Sequence, residues 1–140
     1  MDQVKINGET VRRLKGNVRF IKKGQVILTD NAEQHIKDDV LYMKGNTIMI
    51  NGLDTLTCDS MIYWSNLDSG YAMGEVKYVQ LEPERNLSTE HFHYWKTNGF
   101  QGLSFITDGF SRLEEEDYII SAHKIIYDDD MQKMKLALNA

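Results

Sequence analysis

Apolar and polar residues alternate with a period of two over many short stretches of this chain. Val18-Arg19-Phe20 and residues 47–50, 75–79 and 104–107 are examples. They are rich in β-branched and aromatic side chains, which suits strands with one buried face. Glycine falls between them at turn-like spots: Asn7-Gly8, Lys15-Gly16-Asn17, Lys44-Gly45-Asn46, Asn51-Gly52, Asn98-Gly99 and Asp108-Gly109. Such pairs favour tight turns. Residues 130–138 have good helix propensity, but Met134, Leu136 and Leu138 alternate, and a strand is expected there. Glu114 to Asp117 reads as an exposed turn, and Pro83 is the only proline.

One block of the pattern recurs. It reads TLTCDSMIYW at 55–64, NLSTEHFHYW at 86–95 and YIISAHKIIYD at 118–128. Leu56, Leu87 and Ile120 coincide, and so do the small residues Cys58, Thr89 and Ala122. Met61, Phe92 and Ile125 coincide, followed by Tyr63, Tyr94 and Tyr127. A weaker first copy, VILTDNAEQHI at 26–36, sets Leu28 against Leu56 and His35 where tyrosine is expected. Glycines 45, 74 and 109 follow successive copies, and Gly16 begins the series. Within each block the apolar spacing is two, then three, then two. One extra residue flips the facing register, as a bulge or corner would. A strand bent at a fixed point in every copy predicts a stacked, curved sheet of about four repeats, spanning residues 1–140 as a single domain.

Composition fits that expectation. The apolar share is 41% and the charged share 26%, ordinary for a globular chain. The formal net charge of −5 argues against broad contact with nucleic acid. Arg12, Arg13, Lys15, Arg19, Lys22 and Lys23 lie early, whereas acidic runs occupy 114–117 and 128–130. This asymmetry would help copies meet head to tail, or is simply a solvated surface. Cys58 is the only cysteine, so no internal disulfide is available. No stretch approaches a membrane-spanning helix, and the start, MDQVKINGET, shows no signal-peptide core. The chain is expected to be cytoplasmic, or a mature or trimmed form of an exported protein.

Little in the sequence carries catalytic chemistry. His91 and His93 share a strand face and could begin a metal site, but no third ligand is at hand and Phe92 points the other way. Asp128-Asp129-Asp130 lacks the spaced ligands of a calcium loop. Asp59 is matched by Glu90 and His123 in later copies, unlike a catalytic carboxylate. Trp64 and Trp95 hold one repeat position, a place for a sugar or a partner, or for strand-end packing. No metal, no cofactor and no enzymatic activity are expected.

The pattern resembles the OstA-like family, the LptA-type proteins and the N-terminal domain of LptD. Its carriers are Gly16-Asn17-Val18, Gly45-Asn46, the run from Asp54 to Ser60, Tyr63, Gly74-Glu75-Val76 and the run from Ala122 to Asp128. The resemblance runs from about Gly16 to Leu138. It departs in the first copy, which lacks the tyrosine, and in the longer segment from Phe100 to Phe110. It implies an all-β, OstA-like β-jellyroll, or β-taco, with two facing sheets enclosing an apolar groove. It further implies a periplasmic module that holds lipopolysaccharide, or a similar acylated lipid, by its acyl chains. Partners would be other lipopolysaccharide transport proteins of the same fold, or further copies joined end to end as a homo-oligomer. The matched apolar positions are candidates for the lining: Val18, Phe20, Leu28, Met49, Leu56, Met61, Tyr63, Val76, Tyr78, Leu87, Phe92, Tyr94, Ile120, Ile125 and Tyr127. The same positions serve equally as plain core, filled by one another in a structural or self-assembling scaffold without ligand. Whether the chain is a full protein or part of a longer one stays open.

Overall fold

The computed structural model describes residues 2–6, 8–22, 24–81, 84–96, 103–128 and 133–137, with backbone alone for 2–6 and 137. The expected turns at Asn7 and Asn98-Gly99, Pro83, Phe100, Asp129 to Gln132 and Leu138 lie outside the described residues. Among the described residues twelve strands make one antiparallel sheet, and no helix occurs. In order they are β1 (Asp2–Ile6), β2 (Glu9–Lys22), β3 (Gln25–His35), β4 (Val40–Asn51), β5 (Asp54–Trp64), β6 (Ser69–Leu81) and β7 (Glu84–Lys96). Then come β8 (Leu103–Asp108), β9 (Ser111–Glu115), β10 (Ile119–Ala122), β11 (Lys124–Asp128) and β12 (Lys133–Ala137). The sheet runs β1 to β8, then β11 and β12, with β9 and β10 branching off β7. It is open, with β1 and β12 at its ends, and is not a barrel.

Each long strand is bent once, and the bends stack. Register shifts fall between Lys15 and Val18, Leu28 and Asn31, Lys44 and Thr47, Thr57 and Ser60, and Met73 and Val76. On β2, β4 and β6 the bend is a glycine pair with both residues at positive φ: Gly16-Asn17, Gly45-Asn46 and Gly74-Glu75. Gly16-Asn17 and Gly45-Asn46 read as turns in the sequence, but the strands run through them, and through Gly74-Glu75, as corners. On β3 and β5 an acid takes the corner and covers the glycine of the next strand. A Cβ on Gly45 would sit 2.8 Å from Asp30 Oδ2, and one on Gly74 would sit 2.4 Å from Asp59 Oδ2. In the last copy the corners break the strands outright, separating β8 from β9 at Gly109 and β10 from β11 at His123.

The corners divide the sheet into two arms that close on each other. The first arm holds residues 9–15, 31–35, 40–44, 60–64, 69–73 and 91–96 with β1, β8, β11 and β12. The second holds 18–22, 25–28, 47–51, 54–57, 76–81 and 84–88 with β9 and β10. The bend expected in every block, between Cys58 and Met61 and their equivalents, is this corner. The acidic stretch at 114–117 was expected to be a turn; its first two residues instead finish β9, and Glu116 and Asp117 form the bend.

Candidate functional site

The inner face of the second arm is banded into three rows that cross the strands. The row next to the corner is small: Val18, Thr29, Thr47, Cys58, Val76, Thr89, Ser111 and Ala122, all buried. Its hydroxyls satisfy one another, Thr29 Oγ1 to Thr47 Oγ1 at 3.0 Å and Thr89 Oγ1 to Ser111 Oγ at 3.0 Å. Small side chains let the arms approach at the hinge of the V. Burial pushes the Cys58 thiol up to about 12.

The middle row is large and apolar. Phe20 pairs Ile27, then Met49, Leu56, Tyr78, Leu87, Leu113 and Ile120 follow, each directly opposite the next. Leu28 is not in it. It lies one residue out of phase, on the outer face, and Ile27, 1% exposed, fills the place expected of it. For the same reason Gln34, not His35, stands at the tyrosine position of the first copy.

The third row of the second arm, at the mouth of the V, is polar. Lys22, Gln25, Asn51 and Asp54 pair in sequence. Thr55 opposite Val79 sets Asp54 beside Gln80, and Gln80, Arg85 and Glu115 continue the row. Tyr78 donates to Asp54 Oδ2 at 2.7 Å. Sequence reasoning missed this row, because each member flanks a hairpin turn and looks like ordinary turn-flanking polarity.

Two inner rows face these from the first arm. One runs Leu14, Ala32, Met43, Met61, Ala72, Phe92 and Thr107, and Ile125 joins its end by donating N–H to Thr107 Oγ1 at 2.8 Å. The other runs Arg12, Gln34, Leu41, Tyr63, Gly70, Tyr94, Phe105, Tyr127 and Met134. The three repeat tyrosines therefore stand in one row. Burial pushes the hydroxyls of Tyr63 and Tyr94 well above the usual tyrosine range, and Tyr63 donates to Asp68 Oδ1 at 2.8 Å.

All the sequence-derived lining candidates except Leu28 thus lie on the inner rows. They touch across the V: the rings of Phe20 and Tyr63 are 5.9 Å apart, and Tyr78 lies 5.4 Å from Phe92 and 5.8 Å from Phe105. The Lys22 ammonium closes the mouth on Ser65, bonding its carbonyl and, at 3.2 Å, its hydroxyl. Met49, Leu56, Met61, Tyr63, Phe92, Tyr94 and Ile125 are at most 1% exposed, so the interior is filled by its own side chains. The half-buried members Leu14, Phe20, Ile120 and Met134 are all terminal in their rows. The apolar interior is therefore sealed along its middle and only partly covered at its two ends. A cavity of about 500 Å³ is lined by Arg13, Met43, Met61, Met73 and neighbours, all in the first arm, so it is not a chamber between the arms.

The outer face of the first arm carries the histidines and tryptophans. His93 is exposed, and His91 Nδ1 lies 3.0 Å from the Tyr71 hydroxyl. Trp64 and Trp95 flank Ser69 in one outer row and both lie against His93 rather than each other. No group of three metal-ligating side chains occurs among the described residues.

No protein-family model matches the sequence, and no curated protein matches it significantly. Solved structures do. LptH, the LptA homologous periplasmic component of the conserved lipopolysaccharide transport device from Pseudomonas aeruginosa, is similar with a TM-score of 0.69 at 18% identity. The match covers 80% of this chain and 80% of that one. The chain has the LptA-type, OstA-like β-jellyroll fold.

Proposed function

We propose that this chain is a non-enzymatic lipid-transport module that carries lipopolysaccharide, or a similar acylated lipid, through the periplasm with acyl chains between its two arms. The observation that carries the reading is the set of largely apolar rows, buried along the stack and only partly covered at both ends. Acyl chains are non-directional ligands stabilised by roughly 0.8 kcal/mol per buried CH₂. They ask for such a surface and for no catalytic group. Met43, Met49 and Met61, from β4 and β5, lie on the inner rows, and methionine repacks readily around an irregular guest. The fold likeness to a periplasmic lipopolysaccharide transport component supports the same assignment and the same compartment.

End-to-end assembly follows from the same reading. Residues 18–22 of β2 have no outer partner strand among the described residues, and β10 pairs β9 alone. Exposed Arg13, Lys15 and Arg19 sit at the first end, and exposed Glu114, Glu116 and Asp117 at the other. Bare strand edges with opposite charge close by favour pairing between copies, or with transport proteins of the same fold.

A second reading, a ligand-free scaffold, is favoured by the filled interior. Photocrosslinking separates the two. A photoreactive phenylalanine analogue at Phe92, on an inner row, should capture lipid A, and the same group at outward-facing His93 should not. Equal capture at both sites would sink the interior route, and capture at neither would leave the scaffold.

A further inference from the structure

The mouth row contains a cation with two donor nitrogens that are not used. Arg85, on β7, has its Nε and Nη1 buried with no hydrogen-bond partner among the described residues. Its ion-pair partner among the described residues is Glu115, with Nε 3.7 Å from Oε1, too long for a hydrogen bond. Its guanidinium carbon lies 4.9 Å over the ring centre of Tyr127, so the ring holds the head at the edge of the apolar interior. The side chain is only 17% exposed. Leaving buried guanidinium donors unpaired is costly, and an arrangement that persists at that cost invites an acceptor-rich anion. A planar guanidinium suits phosphate better than an ammonium does. Glu115 stands 3.7 Å off and its other oxygen accepts from the Tyr118 hydroxyl at 3.2 Å, so an incoming anion would compete with it for the guanidinium.

We infer that Arg85, stacked on Tyr127, is the phosphate-binding subsite of this protein, taking a phosphate ester on the headgroup of an acylated lipid whose chains lie on the inner rows. It deepens the lipid-carrier reading: the bands of the second arm, small, then apolar, then polar, would fix which end of an amphiphile faces the mouth.

Two measurements test the subsite and the carrier separately. In the first, the Arg85 Nε–H resonance of the isotope-labelled protein is followed while inorganic phosphate is added. A saturable shift is expected, abolished in Arg85→Gln. Glu115→Gln should reach saturation at lower phosphate, since the competing carboxylate is gone. Absence of any shift overturns the subsite. In the second, binding of phosphorylated lipid A is compared with that of its dephosphorylated form. Wild-type protein should prefer the phosphorylated lipid by about tenfold, and Arg85→Gln should erase the preference without weakening the dephosphorylated lipid. Equal loss for both lipids would make Arg85 a packing residue and overturn the proposal. A phosphate shift with neither lipid bound would keep the subsite, with free phosphate as its source, and discard the carrier. Lipid binding without preference or shift would do the reverse.

Discussion

Tyr94 occupies the space that a side chain on Gly70 would need. The two face each other across the β6–β7 ladder, and a Cβ on Gly70 would lie 2.4 Å from Tyr94 Cε1. Tyr94 is wholly buried and cannot swing into solvent without opening the V. Gly70→Ala should therefore cost about 1–3 kcal/mol, the usual range for overpacking a core. Urea unfolding followed by tryptophan fluorescence measures it. Wild-type stability in Gly70→Ala would mean that the ring is not fixed there.

The corners separate strain from steric contact. Gly74 has φ of 81°, and its missing side chain leaves room for Asp59. Gly74→Ala should cost about 1–2 kcal/mol or more from the left-handed backbone and the displaced carboxylate together. Adding Asp59→Ala should recover the contact share but not the backbone share. Full recovery in the double variant would show that backbone strain contributes nothing.

Phase in the first repeat is decided by two neighbouring residues. Ile27→Ala removes a fully buried side chain and should cost about 2–5 kcal/mol. Leu28→Ala lies on the outer face and should cost under about 1 kcal/mol. Reversed magnitudes would shift β3 by one residue against β4.

Alkaline pH should loosen the molecule. The Cys58 thiol is raised from 9.0 to about 12 by burial, and the hydroxyls of Tyr63 and Tyr94 move the same way. These groups are uncharged in both folded and unfolded chains at neutral pH, so stability there does not depend on them. Above about pH 9 the unfolded chain releases protons that the folded chain retains, and stability falls as pH rises toward 12. Denaturation midpoints between pH 7 and pH 11 should be level at first and then drop. Native Cys58 should also resist thiol reagents at pH 8 and react at once in denaturant.

Much of the architecture was legible because the repeat carries its own geometry. The two-three-two spacing around Cys58 and Met61 is the corner itself, and the tyrosine of each block marks one inner row. Leu28 misled because Ile27 and Leu28 are adjacent and both apolar. Matching leucine to leucine chose the wrong one. Matching Asp30 to Asp59, the corner acids, puts Ile27 opposite the Leu56 position, as the ladder does. Gly16 and Gly45 read as turns since a left-handed glycine pair serves a hairpin and a corner alike. The mouth row was invisible for a different reason. Its polarity becomes meaningful only once seven hairpin-flanking residues on separate strands are seen to line up.

Because each strand from β2 to β7 crosses both arms and bends at the same place, the cross-section recurs from one hairpin to the next. Adding a hairpin would therefore extend the molecule by two strand spacings, about 10 Å, without redesigning its profile. Span and capacity can then be set by gene duplication alone, like links added to a conduit, while the chemistry of each link stays as it was.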